Sequence, residues 1–175
     1  NVDLGFSRGI STVGRLLNPN LSTDSGADIN VLAGIAQGLN VPKFIEEIVA
    51  KSESYRDSLI AYVTSATGQA PTSFDAAAGA FTGLSESIQR PLVLELFFRE
   101  LVRSGREANS DPSIGFAGGF AAIDALLPGA RPEDPEDPEA EPNPYSGDLR
   151  LAFSKIYSLS DGTISLLVPG GLVNI

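Results

Sequence analysis

The hydrophobic positions of this chain change period twice. In the last 29 residues, three units open on glycine: Gly147-Asp-Leu-Arg-Leu-Ala-Phe153, Gly162-Thr-Ile-Ser-Leu-Leu-Val-Pro-Gly170 and Gly171-Leu-Val-Asn-Ile175. Leu149, Leu151 and Phe153 fall on one face, Ile164, Leu166 and Val168 repeat the pattern, and Val173 and Ile175 close it. Alternation at period two marks short strands with one buried face. An upstream copy, Gly26-Ala-Asp-Ile-Asn-Val-Leu-Ala-Gly34, and an alternating Val2-Asp-Leu4-Gly-Phe6 place strands at the other end, with turns at Asn18-Pro19-Asn20 and Asp24-Ser-Gly26. Short strands with glycine corners predict stacked coils of a parallel β-helix, each burying its face against neighbours. An antiparallel meander is the other arrangement this pattern fits.

Between residues 41 and 128 the period becomes helical. Asn40 caps a first helix with Pro42 in its first turn, and Phe44, Ile45, Ile48 and Val49 form its stripe. Tyr55, Leu59, Tyr62, Val63 and Ala66 mark a second helix that Gly68 ends. Thr72-Ser-Phe-Asp75 reads as a capping box before an alanine-rich helix over 76–80. Leu92 to Val102 is the strongest helical stretch, with Leu94, Phe97, Phe98 and Leu101 on one face, Pro91 in its first turn and Gly105 near its end. Phe116 to Leu127 predicts a last helix whose apolar set is Phe120, Ile123, Leu126 and Leu127, with Asp124 facing solvent.

Residues 129–146 are a connector of proline and acid, which blocks helix and sheet ladders and keeps the segment extended. The expected architecture is therefore α+β: β-solenoid coils at 1–40 and 147–175, a small helical insertion at 41–128, and a Pro/acid-rich linker at 129–146. Insertions at solenoid corners are well tolerated, which makes this the simplest account of the order.

Composition narrows the chemistry. Net charge is −10, and the connector carries half of it, with Glu133, Asp134, Glu136, Asp137, Glu139 and Glu141 against Arg131. Such a chain repels nucleic acid phosphates. There is no cysteine, so disulfides, thiolate metal sites and cysteine nucleophiles are excluded. There is no histidine, which removes the usual general base, metal ligand and serine activator, and any ordinary titration near about pH 6.5. No run reaches the roughly 18 apolar residues of a membrane helix. The absence of methionine suggests that residue 1 is not a native translation start and that the chain is an excised or processed segment.

The segments Gly147-Asp-Leu-Arg-Leu-Ala-Phe-Ser-Lys-Ile-Tyr157 and Gly162-Thr-Ile-Ser-Leu-Leu-Val-Pro-Gly-Gly-Leu-Val-Asn174 resemble the filamentous haemagglutinin-like exoproteins of Gram-negative bacteria. Gln89-Arg-Pro-Leu-Val-Leu-Glu-Leu-Phe-Phe98, Gly105-Arg-Glu-Ala108 and Gly119-Phe-Ala-Ala-Ile-Asp-Ala-Leu-Leu-Pro-Gly129 are similar to a region of the same proteins. The resemblance covers most of 84–175 and implies a passenger of two-partner secretion. Such a passenger is exported through an outer-membrane transporter, folds outside as a right-handed β-helix, and acts as a secreted or cell-surface adhesin. No residue here matches that family's N-terminal secretion domain, and no catalytic residue carries over.

Asp111, Asp124, Asp148 and Asp161 are the carboxylates a polysaccharide-cleaving enzyme would use, although Asp148 and Asp161 adjoin glycine in turns. Ser154 and Lys155 are expected on opposite strand faces and form no dyad. The acidic connector is a conceivable Ca²⁺ ligand set but lacks a glycine-turned loop. Gly115-Phe-Ala-Gly118-Gly119 lacks the lysine and the strand of a phosphate loop. Asn20-Leu-Ser22 matches a glycosylation sequon. Tyr55 and Tyr62 are seven apart, suited to sugar stacking or to core packing.

The reading is a non-enzymatic segment displaying a helical insert for contact with a host cell or polysaccharide. No catalytic, cofactor-binding or metal residue is assigned. The alternatives are a polysaccharide-active enzyme using carboxylates and a self-contained helical binding module.

Overall fold

The computed structural model describes residues 1–35, 38–130 and 144–175. The chain divides into two compact units, one made of Asn1–Gly38 with Pro132–Ile175 and the other of Leu39–Arg131. The linker's acidic run lies outside the described residues, and so does the Ca²⁺ reading placed on it.

Among the described residues the first unit holds seven short strands: β1 Val2–Asp3, β2 Ile10–Thr12, β3 Ile29–Leu32, β4 Leu149–Arg150, β5 Ile156–Ser158, β6 Ile164–Leu167 and β7 Val173–Asn174. All their pairings are parallel. One sheet has the order β1-β4-β7, and two pairs stand apart as β2-β5 and β3-β6. The register sets Val2 beside Leu149, Ile10 beside Ile156, and Ile29 beside Ile164. Ile29, Val31, Ala33, Leu149 and Leu151 form the buried core, with Val2, Leu4, Ile10, Ile156, Leu166 and Val168 packed against it.

The expected β-solenoid is overturned. The strands run two to four residues in three small sheets, about 43% of the structure is helix, and the architecture is a small α+β fold. The alternating pattern correctly marks extended segments but not how many rows they stack into. A self-supporting solenoid needs about three or more full repeats, and here only β7 adds to the first two rows. The inward faces also fall short: Ile164 and Val173 are substantially exposed, and Phe153 lies beyond β4 instead of on its buried face.

The second unit holds α1 Val41–Glu47, a 3-10 turn at Val49–Lys51, α2 Glu53–Thr67, α3 Phe74–Thr82, α4 Glu86–Ser110 and α5 Ala117–Leu126. Asn40 caps α1 by accepting from the Lys43 N–H at 3.2 Å, and Ser73, one residue after the capping box's expected first position, caps α3 through the Ala76 N–H at 3.1 Å. Gly68 ends α2 in the left-handed conformation. Phe44, Leu59, Phe81, Leu94, Leu96 and Phe97 are the large side chains at the centre of this unit.

Two helices differ from expectation. α4 starts at Glu86 and contains Pro91, and it runs through Gly105 to Ser110. Proline lacks one N–H, and at the sixth helical position the loss is a single backbone bond near an end. α5 buries Gly119, Ala122 and Ala125, whereas Phe120 is partly exposed. Gly118 and Gly119 explain this, because a Cβ on either would meet Glu100, Arg103 or Ser104 of α4 at 3.1–3.4 Å. Small residues let the helices close together, and the larger aromatic turns outward.

Gly34 ties the two chain segments of the first unit together. Its φ is +75°, and a Cβ there would stand 2.3 Å from the Tyr145 carbonyl oxygen. Gly38 has a similar φ of +80° but nothing within 4 Å. Gly38→Ala should therefore cost only left-handed strain, about 1 kcal/mol, whereas Gly34→Ala adds a backbone clash and should cost at least about 2 kcal/mol more. Thermal melting of the two variants checks the difference.

Candidate functional site

Two turns at opposite ends of the sequence stack on one another in the first unit. Leu4-Gly5-Phe6-Ser7 follows β1, and Leu151-Ala152-Phe153-Ser154 follows β4. Each closes with its serine N–H on its leucine carbonyl, at 3.0 and 2.6 Å. The Ser154 hydroxyl lies 2.8 Å from the Gly5 carbonyl, 3.1 Å from that of Ser7 and 3.3 Å from that of Leu4, so its proton stays within the first turn's carbonyls. Asp3 accepts the Gly5 N–H at 2.8 Å, and the Ser7 hydroxyl accepts the Gly9 N–H at 3.1 Å. At Gly9 a Cβ would fall 1.9 Å from the Lys155 carbonyl oxygen, so only glycine allows this approach.

On this frame the rings of Phe6 and Phe153 stack, with centroids 5.6 Å apart and planes inclined by 13°. They are 90% and 88% exposed. Phe153 also holds φ at +62°, a region that bulky side chains almost never occupy. Backbone strain of this kind concentrates at functional positions, which makes the pair the candidate site. The sequence carried a usable signal that alternation alone concealed: Leu4-Gly-Phe6-Ser7-Arg8 repeats as Leu151-Ala-Phe153-Ser154-Lys155, with Gly9 as a one-residue insertion before β2.

Of the candidate carboxylates, Asp148 precedes β4, Asp161 lies between β5 and β6, Asp111 follows α4 and Asp124 lies within α5. Asp148 accepts the Leu172 N–H at 3.1 Å and the Arg150 guanidinium at 3.3 Å. The Leu172 N–H foremost, with Arg150 beside it, holds the Asp148 carboxyl below the usual range. Asp161 sits in a left-handed turn with Gly162 between β5 and β6. Asp111 accepts from the Ser113 hydroxyl at 2.6 Å and its N–H at 3.0 Å, which depresses its pKa. Asp124 offers its backbone carbonyl to Lys43 Nζ at 3.4 Å. Ser154 and Lys155 precede β5 instead of lying in it, and the serine hydroxyl is committed to carbonyls. Among the described residues no three acidic side chains gather as a metal site. Asn20-Leu-Ser22 lies in an exposed turn closed by the Asn18 side chain.

The second unit holds a buried polar knot. Tyr55 on α2 donates its hydroxyl to Glu100 Oε2 on α4 at 2.9 Å, and Arg103 donates to the same carboxylate through Nε at 2.8 Å and Nη2 at 2.5 Å. Glu100 is 4% exposed. The Arg103 hydrogen bonds foremost, then that of Tyr55, overcome desolvation and hold the Glu100 carboxyl below its ordinary range. Burial foremost, aided by Glu100, pushes the Tyr55 phenol up to about 12. A cavity of about 430 Å³ borders the knot, lined by Lys51, Ser52, Tyr55, Glu100, Arg103 and Gly118 among others.

A carboxylate saturated by a fork of arginine donors and a phenol is a poor base, and the knot acts as a brace between α2 and α4. Tyr55 is thus excluded from sugar stacking. Tyr62 packs edge-on against Phe81 and donates to the Ile88 carbonyl at 2.6 Å. Gly118 and Gly119 pack inside α5 and form no phosphate loop.

No protein-family model matches the chain, and no curated protein or solved structure matches it.

Arg103→Met leaves Glu100 buried beside Tyr55 alone, which should cost about 3 kcal/mol at neutral pH. The pH sign follows from the shifts. Because the Glu100 pKa is depressed on folding, its contribution is present above the ordinary carboxylate value of about 4.3 and is lost as pH falls through the folded value. The raised Tyr55 pKa works oppositely: its contribution is present below about 10 and is lost as pH rises through about 12. Denaturant unfolding of wild type and Glu100→Gln between about pH 3 and 7 should show their difference shrinking on the acid side.

Proposed function

We propose that this chain is a structural and adhesive segment of a large secreted exoprotein of the filamentous haemagglutinin-like kind. It works at the bacterial surface or outside the cell, after export of the full-length protein through its outer-membrane transporter. It catalyses nothing and binds a polysaccharide or cell surface through the Phe6–Phe153 pair. The observation that carries this reading is that pair: two stacked, wet aromatic rings, one on a strained backbone, braced by Ser154 and Gly9. Aromatic faces are suited to the C–H face of a sugar, and rings already ordered lose little entropy on binding.

The carboxylates weighed for polysaccharide cleavage lend no support to an enzyme, since Asp111 and Asp148 are committed to turn donors. One observation favours a helical binding module instead: Ile114 and Phe116 stand more than half exposed.

Glycan-array and whole-cell binding by the chain, compared with Phe153→Asn and Phe116→Ser, separates these readings. Asparagine tolerates the left-handed region, so relief of about 1 kcal/mol of strain offsets the lost stacking. The Phe153→Asn melting temperature should stay within a few degrees of wild type, while binding falls at least about tenfold. Undiminished binding by Phe153→Asn overturns the reading. Loss confined to Phe116→Ser transfers the site to the helical unit, and glycan turnover would make the protein an enzyme.

A further inference from the structure

A second cavity of the helical unit, of about 370 Å³, lies between the start of α2 and the second half of α4 and shares Ser52, Tyr55 and Arg103 with the cavity at the polar knot. Its walls carry Arg99, Arg103 and Arg106 from α4, and Ser52 and Ser54 from the start of α2. The arginines fall at i, i+4 and i+7, which sets them on one face of the helix. Arg103 is fixed in advance, with Nε and Nη2 held by Glu100 and Nη1 by Glu107. Arg99 gives one nitrogen to Glu95 and stands 5.8 Å from the Tyr55 ring centroid. Arg106 forms no ion pair among the described residues. The Ser52 hydroxyl takes no part in capping α2, and Ser54 meets Ser58 through its carbonyl and not its hydroxyl. The neighbouring acids are spent, since Glu95, Glu100 and Glu107 each carry an arginine. What the wall still offers is a set of donors: all of Arg106, the remaining N–H groups of Arg99 and two hydroxyls.

We propose that this cavity binds the phosphoryl group of a small phosphate compound, with its oxygens taken by Arg106, Arg99 and the two serine hydroxyls. The number and placing of the donors select this chemistry. A phosphoryl group presents three strong acceptor oxygens and a charge of about −1.5 to −2 at neutral pH, so donors arriving from two helices can all be used. A carboxylate is planar and is filled by a single arginine fork, which would leave the serines without a role. A neutral sugar would not employ Arg106. The volume lies at the lower end of the roughly 300–1,000 Å³ typical of small-molecule sites, enough for a sugar-sized group beside the phosphoryl. A long polyanion would meet the chain's net charge of −10, whereas a small anion meets this wall alone. The site does not rest on the adhesive reading, which is carried by Phe6 and Phe153.

Calorimetric titration of the full chain at low salt with glucose 6-phosphate, inorganic phosphate, acetate and glucose tests this. Both phosphate compounds should bind, and the tighter of the two identifies the source as an ester or the free anion. Acetate and glucose should bind at least about tenfold more weakly. Arg106→Gln should lose at least about tenfold for the phosphate compounds with an unchanged melting temperature, because the exposed guanidinium has no internal partner to lose. Arg56→Gln removes the same charge from an exposed position of α2 that does not line the cavity, and its affinity should stay within about twofold of wild type. Binding of neither phosphate compound overturns the proposal, and so does acetate binding as tightly as phosphate. Equal losses in Arg56→Gln and Arg106→Gln also overturn it, since the attraction would then be diffuse charge and not this site.

Discussion

The parallel pairing of the first strands with the later ones is the constraint on which the first unit depends. β1, β2 and β3 each find their partner in β4, β5 and β6, so each of these three ladders joins residues well over a hundred positions apart. Closing such a loop costs on the order of 4–5 kcal/mol before any contact offsets it. The strands contribute few backbone bonds, being two to four residues long. The offset comes from the small apolar core, in which Ile29 and Val31 on one segment meet Leu149 and Leu151 on the other. Without that meeting, Phe6 and Phe153 never come within reach of each other, and neither do the turns that hold them.

The second unit has the opposite character. Its backbone bonds run mostly within helices, α1 and α3 carry side-chain caps, and its buried polar groups are satisfied. Gln89 donates to three carbonyls at the end of α3, and Glu100 is filled by Tyr55 and Arg103. No buried side-chain polar atom among the described residues lacks a partner. Local backbone bonding of this kind lets helices form well ahead of long-range strand pairs. Folding of the first unit is then the slow step, limited by the search of residues 1–34 for residues 147–174.

Helix content was legible because its signals are local. Asn40, Ser73 and Gly68 act through hydrogen bonds and backbone conformations that three or four residues specify. The extended segments were legible for the same reason, but their assembly was not. Alternation at Leu149 and Leu151 indicates which side is buried, yet nothing in it counts rows, and so the solenoid expectation went too far. Phe153 marks the limit most sharply. It continues the alternation in sequence, but the backbone turns left-handed beneath it, and the ring emerges into water. The missing signal was not periodicity but repetition of a five-residue unit at 4–8 and 151–155, which only a comparison of the two ends displays. The helical glycines gave a similar difficulty. Gly118 and Gly119 look like loop residues until the approach of α4 explains why no side chain fits there.

Stability alone gives no account of the aromatic pair. An offset stack contributes about 0.5–1.5 kcal/mol beyond area, while a bulky residue in the left-handed region costs about 1–2 kcal/mol, and rings this exposed gain little from burial. The sum is near zero or unfavourable. Glycine or asparagine at position 153 would satisfy the left-handed turn with less strain. The contrast with Phe44, Phe81 and Phe97, which are buried and form the centre of the helical unit, is therefore physical and not a matter of degree. Those rings are where folding places them. Phe153 is held where folding would not choose to put it, and the serine hydroxyl that fastens its turn to the carbonyls of the other is what keeps it there.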